Sequence, residues 1–401
     1  MDAYIQEKPP WKTVEWIKSP FWSTIPEIQY VDWILEPNEN AVKIKEEIRE
    51  LDKEHKWELA KKMVNPYELV YTHDDDRLPP SLSLEYPLSR SFFKMVEILN
   101  VSNFFDSMGK NTNNFRSVHV AEGPGGFIQA LHNRAESKNK NITNSFAMTL
   151  KPTNPHVPGW KKATQFLQKY RQVKIHYGVD GTGDIYVNEN QDSFINLCNP
   201  KAHIFTADGG FDFSVDYALQ EQRVFNLLVC SATVGVRTLI KGGQFILKLF
   251  DCTSPNTKSL ILILSRCFTD WTLYKPAMTR PCNSERYFIG RDFRGTNADN
   301  IVKCLLEIQQ YSAKDKYPIL SPTILSEIKF LERHIQTTTD LQIDAIKLAI
   351  SLIKTPEDWW KTWYMKCLKK SSVWCETFRV PYTPESKHIA ITRTRFPLYG
   401  I

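Results

Sequence analysis

The sequence predicts an α/β fold: a mostly parallel seven-stranded sheet with helices on both faces, extended by helical additions at the N- and C-terminal ends. Three observations carry this. Between residues 118 and 289 short apolar runs alternate with longer windows of helical period, the rhythm of successive strand–helix units. Polar or charged residues stand at the carboxyl ends of several of these runs, where ligands bind to open parallel sheets. Past Asn300 the strand signal fades and the apolar spacing becomes helical.

The elements follow in chain order. Residues 1–38 hold Trp11, Trp16, Trp22 and Trp33 among Pro9, Pro10, Pro20, Pro26 and Pro37, a stretch suited to neither helix nor sheet and expected to wrap a surface and bury its indoles. Residues 41–62 read as an exposed amphipathic helix, which Asn65-Pro66-Tyr67-Glu68 ends. A second helix spans 88–99, its apolar positions covering most of the surface while Arg90, Lys94 and Glu97 share one stripe. Candidate strands are 118–121, 146–150, 173–176, 203–207, 245–250, 271–274 and 287–289, with crossover helices at 160–170, 219–239 and 258–268. Four further helices are expected at 301–310, 321–336, 341–353 and 357–369, the last bearing Trp359, Trp360 and Trp363. The implied division is an N-terminal segment over 1–60, a main domain over 61–300 and a helical appendage over 301–401.

Composition narrows the function classes. The chain has 401 residues and ordinary apolar and charged fractions, which excludes global disorder. No charged-then-apolar leader follows Met1, and the apolar run at 260–264 is too short to cross a bilayer, so the expectation is a soluble protein with no membrane partner. Eight cysteines lack CxxC spacing, which favours reduced thiols over disulfides or structural zinc. His73-Asp74-Asp75-Asp76 reads as a solvated turn before Pro79-Pro80, and no metal site is expected. Residues 301–401 carry 15 Lys and Arg against 10 Asp and Glu, a surplus that fits either a phosphate-gripping surface or a solvated helical one.

The chemistry lies in a turn and four charges. Ala121-Glu122-Gly123-Pro124-Gly125-Gly126-Phe127 follows a predicted strand and precedes a predicted helix, and its glycines permit backbone conformations closed to other residues. It has neither GxGxxG spacing nor the Gly-Lys-Ser/Thr of a phosphate loop, so neither NAD nor ATP is favoured. Asp208 ends a predicted strand, with Gly209 and Gly210 leaving room behind it. Lys248 lies within an apolar strand, where a buried ammonium needs a carboxylate partner or a shifted pKa. Lys94 and Glu285, taken singly, read as a solvated lysine and a turn cap.

In order and context these stretches resemble the FtsJ-like ribose 2′-O-methyltransferase family, in particular its messenger-RNA cap-1 branch, relatives from large DNA viruses included. The resemblance runs over roughly residues 60–295, through Asn65-Pro66-Tyr67-Glu68, Arg90 with Lys94, residues 121–127 and Phe146-Ala147-Met148-Thr149-Leu150-Lys151. It continues through Gly181-Thr182-Gly183-Asp184-Ile185, Asp208-Gly209-Gly210-Phe211, Lys248-Leu249-Phe250 and Arg280-Pro281-Cys282-Asn283-Ser284-Glu285-Arg286-Tyr287. It implies a Rossmann-like fold, S-adenosylmethionine as cofactor, and a Lys94–Asp208–Lys248–Glu285 catalytic tetrad with no metal. It places the cofactor against Ser89, residues 121–127, Thr149, Asp184, Ile185 and Asp208. Ser89 and Glu122 depart from the family's pattern. Lys62, Arg90, Ala218, Leu219, Gln220, Arg280 and Asn283 fall at positions that meet RNA, and Lys61, Lys151 and Arg286 flank the motifs as further phosphate contacts. The implied substrate is a capped mRNA 5′ end, with other capping or transcription proteins as partners. Internal ribosomal or transfer-RNA ribose, and a noncatalytic RNA-binding subunit on the same fold, are the alternatives. Without a nuclear signal or extra domains, the expected setting is a virus in host cytoplasm, or its virion, and the nucleus if the protein is cellular.

Overall fold

Strands buried on both faces set the architecture, as β6 (Ala202–Ala207), buried at every position, illustrates. The computed structural model describes residues 8–19, 27–36, 39–51, 56–72, 75–108, 112–153, 159–210, 220–295, 298–320, 325–354 and 360–396. Trp22, His73, Asp74, Ala218, Leu219 and Trp359 therefore lie outside the described residues. Eight strands form one sheet in the order β1-β8-β9-β7-β6-β3-β4-β5. With β6 these are β1 (Ile17–Lys18), β3 (Asn114–Val120), β4 (Asn141–Met148), β5 (Val173–His176), β7 (Leu239–Leu249), β8 (Phe268–Tyr274) and β9 (Arg286–Phe293). The five strands from β7 to β5 run parallel, β9 enters antiparallel between β7 and β8, and β1 adds antiparallel to β8.

All seven predicted strands are present, and the eighth corrects the reading of the N-terminal segment. Ile17 and Lys18 pair with Trp271 and Asp270, while β2 (Ile28–Val31) forms a separate ladder with β10 (Tyr317–Leu320). Backbone pairing to an existing edge needs no apolar alternation, which is why such short strands leave no local pattern. The indoles pack as expected: Trp11 meets Tyr67 and Phe378 edge-on, Trp33 meets Phe225 and Tyr317, and Trp16 lies under the Arg291 guanidinium at 3.4 Å.

Period-two alternation divides the core between the two faces of the sheet. Ile204 joins Phe92, Phe127 and Leu131 from the helices Ser91–Val101 and Gly126–Ser137, whereas its neighbour Phe205 joins Val224 and Leu228 from the helix Gln220–Thr238. The predicted helix over 41–62 is two helices, Glu39–Leu51 and Trp57–Met63. Conversely, 321–336 and 341–353 are parts of one 30-residue helix, Leu325–Lys354. The gap expected over 337–340 is helical, and there the Thr338 hydroxyl donates to His334 O at 2.8 Å and accepts from buried Arg286 at 2.6 Å. Helices Asn188–Leu197 and Glu385–Arg395 were not predicted, and the one expected over 357–369 runs from Trp360 to Thr377. Its Trp363 indole donates to Met63 O at 2.5 Å, tying the C-terminal helices to the N-terminal ones.

Candidate active site

The strand order makes the crevice. From β3 the chain builds outward through β4 and β5 on one side and through β6 and β7 on the other, so the carboxyl ends of β3 and β6 flank a topological switch point. The glycine turn leaves β3 there and Asp208 leaves β6. Because β9 is antiparallel to β7, its beginning lies at the same edge as the end of β7: Lys248 pairs with Tyr287 and Leu249 with Arg286. Glu285 thus reaches the crevice by entering β9 as Lys248 reaches it by leaving β7.

Lys94, Asp208, Lys248 and Glu285 converge at this edge. Lys94 Nζ lies 2.5 Å from Glu285 Oε1, and Lys248 Nζ lies 3.2 Å from Asp208 Oδ1 while donating to Asp208 O at 2.7 Å. A residue to which the sequence assigned no role joins the pairs: the Tyr287 hydroxyl is 2.8 Å from Asp208 Oδ1 and 3.0 Å from Glu285 Oε1, sharing one proton between two carboxylates. Thr279 Oγ1 donates to the same Glu285 oxygen at 3.1 Å. Tyr287 was legible in principle, since two residues along a strand from Glu285 it must stand on the same side. Burial alone would lower the Lys248 ammonium, but the charges of Asp208 and Glu285 overcome it and hold Lys248 above the usual lysine value. Burial would likewise raise Glu285, and the Lys94 and Lys248 ammonium groups instead keep it well below the carboxylate range. A Cβ on Gly210 would lie 3.4 Å from Lys248 Cε and 3.0 Å from the Phe250 ring, so the glycine keeps the space beside this lysine open.

The turn and its neighbours are built for close backbone approach. Gly125 has φ +100°, and its amide donates to Glu122 O at 2.6 Å to close the turn. A Cβ on Gly126 would sit 2.3 Å from Ser89 Oγ and 2.2 Å from Ser91 Oγ, which places Ser89 directly against the turn. Pro124 follows Gly123 within the turn, and Phe127, buried, locks the helix onto the sheet. Ala121 takes φ +53° as the chain leaves β3. The Glu122 carboxylate is not at the crevice surface as expected: it is buried, accepts from Thr206 Oγ1 and lies 3.3 Å from His119 Nδ1, so it braces the turn from beneath. Beyond β4, Thr149 and Gly183 are in contact, and Lys151 N donates to Thr182 O at 2.7 Å, closing the 177–185 loop that carries Asp184 and the buried Ile185. Leu150, Val179 and Tyr186 remain exposed around this loop.

The expected RNA contacts divide. Asn283 is exposed beside Glu285, and Lys151 is exposed at the end of β4. Lys62 is paired with Asp75 at 2.6 Å, and Arg280 with Glu68 at 2.8 Å. Arg90 corrects its expectation: its guanidinium donates to Tyr71 O and Met278 O and lies 3.0 Å from Glu68, locking the helix start inside the fold. Arg286 does so too, being buried on Thr338 and Ser284 O, and Gln220 is buried at the head of its helix. All eight cysteines are buried and free, and among the described residues no group of His, Cys, Asp and Glu is placed to hold a metal.

A sheet of this order, with a glycine turn at its switch point, is the fold of a Rossmann-like methyltransferase. The chain belongs to the FtsJ-like methyltransferase family, whose family model matches residues 87–293. The cap-specific mRNA (nucleoside-2′-O-)-methyltransferase 1 of Trypanosoma brucei brucei is 32% identical over 216 residues, covering 53% of this chain and 56% of that protein. The proteins of the same name from Xenopus laevis and Homo sapiens are each 31% identical, over 254 and 250 residues, covering 59% and 57% of this chain and 28% and 27% of theirs. The chain thus spans little more than half the length of the first relative and under a third of the other two. A solved ribosomal RNA methyltransferase from Plasmodium falciparum aligns at 18% identity and a TM-score of 0.35, covering 52% of this chain and 98% of that one. S-adenosylmethionine is the family's methyl donor. The crevice fits it: Gly210 keeps the space beside Lys248 open, and exposed apolar side chains flank the 177–185 loop, a surface suited to a purine.

Proposed function

We propose that this chain methylates the ribose 2′-hydroxyl of the first transcribed nucleotide of capped mRNA, converting cap-0 to cap-1. The observation that carries the reading is the Lys248 ammonium, held charged between Asp208 and Glu285 at the mouth of the switch-point crevice. Bound S-adenosylmethionine supplies an electrophilic methyl on a positive sulfur. Ala121, residues 123–127, Ser89, Thr149, Asp184 and Ile185 would hold it, with Glu122 bracing the turn from beneath and Asp208 adjoining the lysine.

A ribose hydroxyl is a poor nucleophile near neutral pH, so the site must orient it and favour loss of its proton. Lys248 would donate to that oxygen while the hydroxyl proton passes to solvent water, the O–CH₃ bond forming as the S–CH₃ bond breaks to leave S-adenosylhomocysteine. Asp208 aims Lys248, while Lys94 keeps Glu285 ionised and Tyr287 spaces the two carboxylates. The capped 5′ end as substrate rests on the naming of the relatives and on exposed Asn283 and Lys151 near the crevice. Cooperation with other capping proteins, in a virus-infected cytoplasm or a nucleus, belongs to the same proposal.

The test is transfer of labelled methyl from S-adenosylmethionine to capped and uncapped RNA by wild type and Lys248→Ala. Removing a donor aimed at developing negative charge should slow transfer by about 10²- to 10³-fold. Equal transfer by both proteins would refute the assignment of Lys248. Transfer to uncapped internal sites alone would replace the cap by internal ribose as the substrate.

A further inference from the structure

One buried carboxylate near the tetrad has no part in the chemistry described above. Glu97 stands one turn after Lys94 on the helix Ser91–Val101 and is fully buried. Its Oε1 accepts from the Tyr274 hydroxyl and from Ala277 N at 2.8 Å, and its Oε2 accepts from the Trp374 indole at 2.8 Å. These three donors belong to the end of β8, the start of the loop over 275–285, and the C-terminal helix Trp360–Thr377. All are neutral, so no cation offsets burial, which lifts Glu97 to about 7 from 4.5 against the lowering by these hydrogen bonds. Leaving any one partner unmatched in this interior would cost more than the bond is worth when made.

The loop beginning at Ala277 ends at Glu285. Along it Met278 O accepts from Arg90 at 3.1 Å, and Thr279 donates to Glu285 at 3.1 Å. The helix bearing Glu97 also bears Lys94, whose ammonium meets Glu285 at 2.5 Å. Trp374 packs edge-on against Phe93, the residue before Lys94, with ring centroids 5.8 Å apart. Glu97 therefore ties together the two elements that meet at the Lys94–Glu285 pair, and brings the C-terminal helix into the same tie.

We propose that Glu97 is a positioning residue for methyl transfer: by holding Tyr274, Ala277 and Trp374 at once it sets the spacing of the Lys94 helix from the Glu285 loop. The C-terminal helix, through Trp374, is then part of the active-site frame. This inference rests on the methyltransferase reading above. Small misplacement of catalytic groups costs rate more than binding, because the reacting geometry is far narrower than the bound one.

Two substitutions and their combination test this. Glu97→Gln keeps the shape but turns an N–H donor toward donors; it should lower kcat by about tenfold and leave KM for capped RNA and the Kd for S-adenosylhomocysteine within about twofold. Trp374→Phe removes one donor and should lower kcat by about threefold. If both act through the same tie, the double variant will be no slower than Glu97→Gln alone. Hydrogen exchange over 275–285 should rise in each variant, a readout that does not need turnover. Glu327→Gln, in the buried Arg266–Glu327 pair remote from the tetrad, controls for lost stability. Multiplying kcat losses in the double variant, unchanged kcat or unchanged exchange in Glu97→Gln, or an equal kcat loss in Glu327→Gln would overturn the proposal. A wild type that transfers no methyl, while exchange over 275–285 still responds to Glu97→Gln, would instead overturn the methyltransferase reading and leave the tie standing.

Discussion

Replacing Gly183 by alanine should weaken cofactor binding far more than the same change two residues earlier. Gly181 and Gly183 both adopt left-handed backbone, at φ +75° and +72°, so alanine is strained at each by the same 1–2 kcal/mol or so. Their surroundings differ. A Cβ at 181 meets nothing within 4 Å, whereas one at 183 would lie 2.0 Å from Thr149 O and 2.9 Å from Thr149 C. A carbon–oxygen contact needs about 3.3 Å, so the loop would have to part from the end of β4 by roughly 1.3 Å, and no side-chain rotation relieves a collision with backbone. Two hydrogen bonds hold this segment: Lys151 N to Thr182 O spans that gap, and Gly183 N to Tyr177 O closes the loop on itself, both at 2.7 Å. The alanine loop therefore shifts aside, and a displaced loop forgoes its contacts with the cofactor. At about 1 kcal/mol for each of two contacts forgone, the loss is about 2 kcal/mol, or roughly 30-fold in Kd beyond the effect of Gly181→Ala. Titration calorimetry with S-adenosylmethionine measures both variants, and melting temperatures check that both fold. Affinities within threefold of each other would refute the placement of the cofactor against this loop.

Two further predictions concern the site's charges. Tyr287→Phe fits the same buried space but leaves Asp208 and Glu285 without their shared proton; single-turnover methyl transfer should slow about tenfold with cofactor affinity unchanged, and a wild-type rate would remove Tyr287 from the network. Glu221, which accepts from Thr253 and Ser254 in the turn after β7, is lifted by burial and by Asp251 to about 7 from 4.5. A raised folded-state pKa gives stability that is present below pH 4.5 and lost as pH rises through 7. Urea unfolding should therefore show Glu221→Gln gaining on wild type between pH 4.5 and 8, by on the order of 3 kcal/mol, and a constant difference across that range would contradict the burial argument.

How much of this could be read in the sequence depends on where each residue's partners come from. Strands such as β6 and β7 announce themselves because burial on both faces leaves an unbroken apolar run, and a charge interrupting one, as Lys248 does, is conspicuous in a single line of text. β1 has two residues and β2 pairs with a strand that begins at Tyr317, so neither leaves a local signature. Nothing near 337–340 in the sequence shows that the helix Leu325–Lys354 runs on, because the buried partner of Thr338 there, Arg286, comes from a distant strand.

The same reasoning separates the two halves of the tetrad. Asp208 and Lys248 each carry their own signal, one at a strand end before two glycines and one inside an apolar strand. Lys94 and Glu285 do not, because each is explained only by the other, 191 residues away. Glu97 goes further in that direction: on its helix it looks like one more charge on a polar stripe, and its burial follows from Tyr274, Ala277 and Trp374 arriving from three separate elements. A charge that accounts for itself locally is the weaker candidate for function, and one whose partners lie across the fold is the stronger. By that measure the residues 360–377, which the sequence offers only as part of a helical appendage, belong with the frame we propose around Lys94 and Glu285, since Trp374 completes a carboxylate that no residue near it in sequence could satisfy.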